Sequence, residues 1–307
     1  MITRQTTLVL GAGASKPYGF PLGSELRESI IALTRPGDEI AAMSGLAKDE
    51  LLKPFVFAFN ASRLYSIDAF LGIRTEFADI GKRAIAAVLL HAERRSGLGS
   101  MQIKSDWYDY LWNKVTSGCS WESLSFDKLS IVTFNYDRSL EIFLIQAMMN
   151  TYGVNEQDAI TKLDSLRIEH VYGSLGALWM GTERTFIPFG QQWQSSIVEQ
   201  AAKGLVVIPE ARHDAPSFVA AKEVLSNASA IGILGFGFDE QNLMRLDSTH
   251  TCSDRPSEAV IRPVVATCYG LTEHERLAAT NRCAVGLHTS FINADCLGLL
   301  RQTLLLG

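Results

Sequence analysis

The chain has 307 residues, 47% hydrophobic and 20% charged, which is the composition of an ordinary globular protein rather than a disordered or fibrous one. A formal net charge of −5 leaves no basic excess and argues against direct nucleic-acid binding. No apolar stretch reaches the roughly 18 residues that a bilayer crossing needs; the first apolar run stops at Gly11, too short for a signal-peptide core, so the expectation is a cytoplasmic protein with no membrane attachment.

In chain order, Leu8-Val9-Leu10 is a short apolar run ending at a glycine, the pattern of a buried parallel strand. Ser24 to Leu33 predicts a helix that starts at Gly23 or Ser24. Residues 38–116 hold no convincing strand, and apolar residues at helical spacing over 67–77, 81–93 and 107–115 predict a helical insertion. Trp107, Tyr108, Tyr110, Leu111 and Trp112 fit core or interface aromatics there. Strand patterns return at 129–134, 168–172, 205–208, 230–234 and 259–267, with helices at 139–149, 218–225, 273–279 and 296–305. The polar stretch 249–256 reads as a loop. Alternating strands and helices imply a Rossmann-like α/β fold: a mostly parallel sheet with helices on both faces. Residues 1–307 are expected to form one domain carrying the insertion at about 38–116. Ligands of such sheets bind beyond the carboxyl ends of the strands.

Cys119, Cys252, Cys268, Cys283 and Cys296 are scattered, odd in number and without a Cys-x-x-Cys pair. They read as reduced, buried thiols, and no metal site is expected.

Four segments carry candidate chemistry. Gly11-Ala12-Gly13-Ala14-Ser15 follows the first strand. A glycine turn there lets backbone N–H groups approach a pyrophosphate. Lys16 stands where a third Rossmann glycine would be, and no Gly-Lys-Ser/Thr follows, so an ordinary tight turn is an equal alternative. Thr133-Phe134-Asn135-Tyr136-Asp137 places Asn135 and Asp137 at a strand's carboxyl end. Asn135 can bond a ribose hydroxyl or hold a water, whereas Asp137 alone is better explained as a helix cap. In His170-Val171-Tyr172-Gly173-Ser174, alternation puts His170 and Tyr172 on one strand face. Histidine suits general-base work, although a lone histidine is more often structural. Leu234-Gly235-Phe236-Gly237-Phe238-Asp239 is a second glycine-rich strand end, with Asp239 as a candidate cap.

Together these segments, with Tyr18-Gly19-Phe20-Pro21 and Ser66-Ile67-Asp68-Ala69-Phe70-Leu71, resemble the sirtuin-like family over residues 7 to about 245, in particular its prokaryotic NAD-hydrolase branch of anti-phage defence. The resemblance implies that the Gly11, Ala12, Gly13 loop holds the NAD pyrophosphate, with Ser15 reaching a phosphate oxygen. It puts Asn135 beside the nicotinamide ribose, supported by Asp137, and Gly235, Phe236 and Gly237 along the adenosine side. The implied reaction releases nicotinamide and ADP-ribose, with Asn135 and His170 as catalytic residues and NAD as substrate, without a metal. Tyr172 stands immediately before Gly173-Ser174, where the family usually has its histidine, and His170 lies two positions earlier. The family's four-cysteine zinc module is absent from the chain, which ranks deacylation and ADP-ribosyl transfer below hydrolysis. A non-catalytic NAD or ADP-ribose sensor is the alternative that Tyr172 favours. A toxic hydrolase needs restraint, which implies homo-oligomerisation through the helical insertion or a separate sensor or activator protein.

Overall fold

The computed structural model describes residues 2–98, 106–180, 185–191, 194–207, 215–238, 262–282 and 289–307. Six strands form one parallel sheet: β1 (Thr6–Leu10), β2 (Leu129–Thr133), β3 (Arg167–His170), β4 (Ala230–Leu234), β5 (Val264–Thr267) and β6 (Thr289–Ile292), in the order β3-β2-β1-β4-β5-β6. This is the Rossmann order, and it reverses between β1 and β4. Every residue of β1, β2 and β4 is buried, so both faces of the central sheet are covered.

The helices are α1 (Ala12–Ser15), α2 (Gly23–Ala32), α3 (Glu39–Met43), α4 (Leu52–Ser62), α5 (Ile67–Ile73), α6 (Ala78–Arg95), α7 (Trp107–Thr116), α8 (Ser139–Tyr152), α9 (Glu156–Leu163), α10 (Ser195–Lys203), α11 (Pro216–Asn227), α12 (Glu273–Arg282) and α13 (Cys296–Gln302). Helices α3 to α7 make up the expected insertion, with no strand among its described residues. Its spine is α6, whose Ala84, Ile85, Ala86 and Ala87 are fully buried. Small side chains there allow α2, α4, α5 and α10 to pack against it.

Local chemistry sets several boundaries. Ser66 caps α5 by accepting a hydrogen bond from the Ala69 amide, and Asp295 caps α13 through the Gly298 amide. The helix expected over 67–77 breaks at Arg74, where a single tighter turn, Thr75–Phe77, redirects the chain into α6. The strand expected over 168–172 ends at His170, because Gly173 turns the chain at φ +73°. The strand expected at 205–208 is not formed by the described residues. Leu205 makes one antiparallel bridge to Gly173, and Val206 donates to the Tyr172 carbonyl at 2.9 Å. Residues 208, 239, 249–256 and 259–261, with Cys252 and Cys283, lie outside the described residues. No helix among the described residues is long and apolar enough to cross a membrane.

Candidate functional site

The glycine turns after β1 and β4 meet at the point where the strand order reverses. The Gly11 amide donates to the Leu234 carbonyl at 3.0 Å, and the Gly13 amide donates to the Gly235 carbonyl at 2.9 Å. A Cβ on Gly11 would lie 2.6 Å from the Gly235 oxygen, and one on Gly13 would lie 2.8 Å from the Gly235 Cα. Gly235 itself adopts φ +58°, with the Ala14 nitrogen 2.1 Å from where its Cβ would sit. The sequence explains these glycines by close approach of a ligand. The structure adds a nearer cause, which is that the two turns interlock through their main chains. Ala12 and Gly13 are the partly exposed residues of the first turn.

The insertion supports this turn from beneath. Trp107 Nε1 donates to the Ala14 carbonyl at 2.8 Å, and the Tyr108 amide donates to the Tyr18 hydroxyl at 3.0 Å. The Tyr18 and Tyr108 rings stack at 3.8 Å, and Trp107, Tyr108 and Trp112 are core, as one of the two expectations had it, whereas Tyr110 is half-buried at its edge. Burial pushes the nearby Cys296 thiol up to about 12, consistent with an inert buried cysteine.

Asn135 lies just beyond β2 and faces the first turn. Its Nδ2 donates to the Gly11 carbonyl at 2.9 Å and to Ser15 Oγ at 3.0 Å. Both contacts fix the orientation of the amide, since a main-chain carbonyl only accepts. Asn135 Oδ1 takes no hydrogen bond from the described residues and remains an open acceptor. Ser15 is buried, and its hydroxyl accepts from Asn135 Nδ2 rather than projecting outward.

Asp137 is buried too and accepts from the Ser139 amide at 3.1 Å and from the Ser139 hydroxyl, which holds the start of α8. The position flanking α8 is Arg138, which makes no side-chain cap, so Asp137 holds the turn into the helix from one residue earlier than the cap position expected for it. Burial raises its carboxyl above the usual range, while the hydroxyls of Ser139 and Ser15 oppose the shift. From Asp137 a chain of hydrogen bonds runs through the Ser139 hydroxyl to the Tyr108 hydroxyl, 2.7 Å from Ser139 Oγ.

His170 ends β3 opposite Thr133 of β2. Its ring does not open toward the crevice. Nδ1 is 3.1 Å from the Asn135 carbonyl oxygen, and Nε2 is 2.7 Å from Glu141 Oε1. Tyr172 and Phe236 point inward as members of an aromatic row beneath the strand ends. Tyr172 packs edge-on against Phe134 at 5.8 Å, Phe134 against Phe236 at 4.9 Å, and Phe236 against Phe238 at 5.5 Å. Gly237 is exposed, and no atom of the described residues lies within 4 Å of an added Cβ.

Four further groups at the site are given no role by the sequence, although Asp68 falls within one of the segments that carry the resemblance. Glu141 pairs with His170. Thr267 Oγ1 accepts from the Gly235 amide at 2.9 Å. Asp68 accepts from the Tyr136 hydroxyl at 2.9 Å and so ties α5 to the segment after β2. Arg138 grips Glu93 of α6 through two nitrogens, at 3.0 and 2.7 Å, with both side chains buried. Only the residue types are visible in sequence, since each partner comes from a distant part of the chain. Among the described residues, no cluster of three or more histidine, cysteine or acidic side chains is arranged to hold a metal ion. No protein-family model matches the chain, and no curated protein matches it.

Proposed function

We propose that the chain binds NAD across the interlocked turns of Gly11 and Gly235 and hydrolyses its nicotinamide–ribose bond. The observation that carries this reading is the Asn135 amide, pinned with Oδ1 outward at the carboxyl end of β2, beside the turn at the strand-order reversal. Ligands of open parallel sheets bind at that reversal. An outward acceptor on a rigid mount suits a ribose hydroxyl or an attacking water.

The chemistry asks little acid help of the protein. Nicotinamide leaves as a neutral base, taking the bonding pair of the C–N bond, so no acid has to protonate it. The ribose carbon gains oxocarbenium character and is captured by water, giving ADP-ribose and a proton. Catalysis then consists of orienting the ribose, shielding the cation and placing the water. No metal is required for any of these steps. The resemblance to NAD-depleting defence enzymes supports a role as a toxic effector restrained by self-association or by an activator protein. Restraint by a second copy is favoured by the insertion, where Phe57 and Tyr65 stand exposed on and beside α4.

The test is incubation with NAD and chromatography of the products. Release of nicotinamide and ADP-ribose is expected, with the rate falling at least about a hundredfold in Asn135→Ala. Absence of turnover with candidate activators present would sink the hydrolase reading. A second reading, a non-catalytic NAD or ADP-ribose sensor, is favoured by the engagement of Ser15 and His170 with protein partners. Tight binding by calorimetry with intact NAD recovered would select it.

A further inference from the structure

A histidine next to a candidate reaction centre invites assignment as a general base. The surroundings of His170 point elsewhere. Its side chain is 4% exposed and lies between the main chain of Asn135 and the first turn of α8. A carbonyl oxygen only accepts, so Nδ1 carries a hydrogen and donates it to Asn135. Nε2 meets a carboxyl oxygen, and one proton is held between the two groups, as imidazolium with carboxylate or as imidazole with carboxylic acid. In either form no ring nitrogen keeps a lone pair aimed at a water or a ribose.

We propose that His170 is a positioning residue, braced by Glu141, that holds the main chain of Asn135 and reaches the ligand only through it. This inference rests on the nucleotide reading of the same site.

The mount of Asn135 supports the assignment. Its amide N–H donates to Thr133 Oγ1 at 3.1 Å, its side chain is held by Gly11 and Ser15, and its carbonyl is held by His170. Thr133 and His170 are register partners in β2 and β3, so the ladder itself sets the reach of the imidazole. Glu141 stands three residues into α8, whose start is fixed by Asp137. The brace thus joins β3, α8 and the loop between β2 and α8 around one peptide. Without it, the peptide carrying Asn135 loses the only hydrogen bond that holds its carbonyl among the described residues. Misplacement by about 1 Å can cost roughly a hundredfold in rate.

Two measurements test this on the full chain. Nitrogen-15 spectra of ring-labelled histidine, read without any NAD, should show Nδ1 of His170 protonated at neutral pH. A bare Nδ1 overturns the proposal. In nicotinamide release between about pH 5 and pH 9, His170→Gln should lower kcat by about tenfold to a hundredfold with the shape of the profile retained. Loss of the acidic limb in that variant overturns the proposal. Combined with Asn135→Ala, His170→Gln should add less than about threefold to the loss, because the two act as one unit. An additional loss well beyond that overturns it. Glu141→Gln keeps an acceptor for Nε2 and should retain more activity than His170→Gln at an unchanged melting temperature. The reverse order overturns the brace. If NAD is not cleaved at all, the hydrolase reading fails while the spectra still decide the role of the histidine.

Discussion

Gly235 shows how one residue can serve packing and ligand approach together. Its left-handed φ of +58° and the 2.1 Å gap to the Ala14 nitrogen leave no room for a side chain. Gly235→Ala combines left-handed strain of about 1–2 kcal/mol with overpacking of about 1–3 kcal/mol. A loss of about 2–5 kcal/mol is therefore expected by urea denaturation. Gly237, two residues on, has no atom of the described residues within 4 Å of an added Cβ, and Gly237→Ala should change stability by less than about 1 kcal/mol. Equal stability of the two variants would contradict the interlock. At this scale the sequence identifies where glycine is needed, because glycine at a strand end is a local signal. It does not identify the neighbour that excludes a Cβ, which here is the other glycine turn, from the adjacent strand β1. Asn135 is similar. Its place past β2 follows from the strand pattern, whereas the outward direction of Oδ1 follows from Gly11 and Ser15, which only the fold brings together.

Elements are held in register by a contact of a different kind, the buried pair of Glu93 and Arg138. Arg138 sits between Asp137 and α8, and besides Glu93 it donates to the carbonyl oxygens of Ile187 and Ala177. One guanidinium thereby connects α6, the start of α8 and the segment beyond Gly173. A buried pair gains little over an apolar pair of equal volume, but removing one partner leaves an uncompensated charge. Glu93→Gln and Arg138→Met should each cost about 3–5 kcal/mol, and the double variant less than the sum of the two. Denaturant midpoints of the three variants check this, and strict additivity would refute the coupling. Element patterns were legible wherever burial is two-sided and continuous: the run at 230–234 is β4, and 129–134 contains β2. The apolar run at 205–207 imitates such a strand. Those residues instead close over Gly173, with Val206 bound to the Tyr172 carbonyl, and local composition does not distinguish the two outcomes. Helices α9 and α10 and the edge strand β6 are too short to stand out against loop, since 8 and 9 residues give little more than two helical turns and 4 residues a minimal alternation.

Across the whole molecule, α4 carries the clearest sign of association. Leu52, Phe55, Val56 and Phe59 face the core, yet Pro54, Phe57 and Ala61 continue the apolar surface on the opposite side, with Phe57 77% exposed. Lys53 and Asn60 border this patch on the exposed face, so the helix offers a small apolar surface with a polar rim. A second copy meeting the first by a self-complementary contact would cover Phe57. Sedimentation at micromolar concentration should show an oligomer that Phe57→Asp weakens by about tenfold or more in dissociation constant. A wild-type protein that stays monomeric under those conditions would rule this out. The fold class, with its parallel sheet and helical insertion, was legible at this scale because alternation along the chain is a global pattern. The helix surface available for association was not, since exposure depends on what packs beneath.

The strand order also has a consequence for synthesis. Central β1 pairs with β2 on one side and β4 on the other, so the first strand made waits for partners that follow the whole insertion and then α8 to α11. Pairings this distant in sequence form late and slowly. The two glycine turns and Asn135 accordingly come together only after β4 has left the ribosome. A nascent or interrupted chain ending before Ala230 lacks half of the candidate site, so the timing of translation itself would keep the proposed activity silent until the sheet closes.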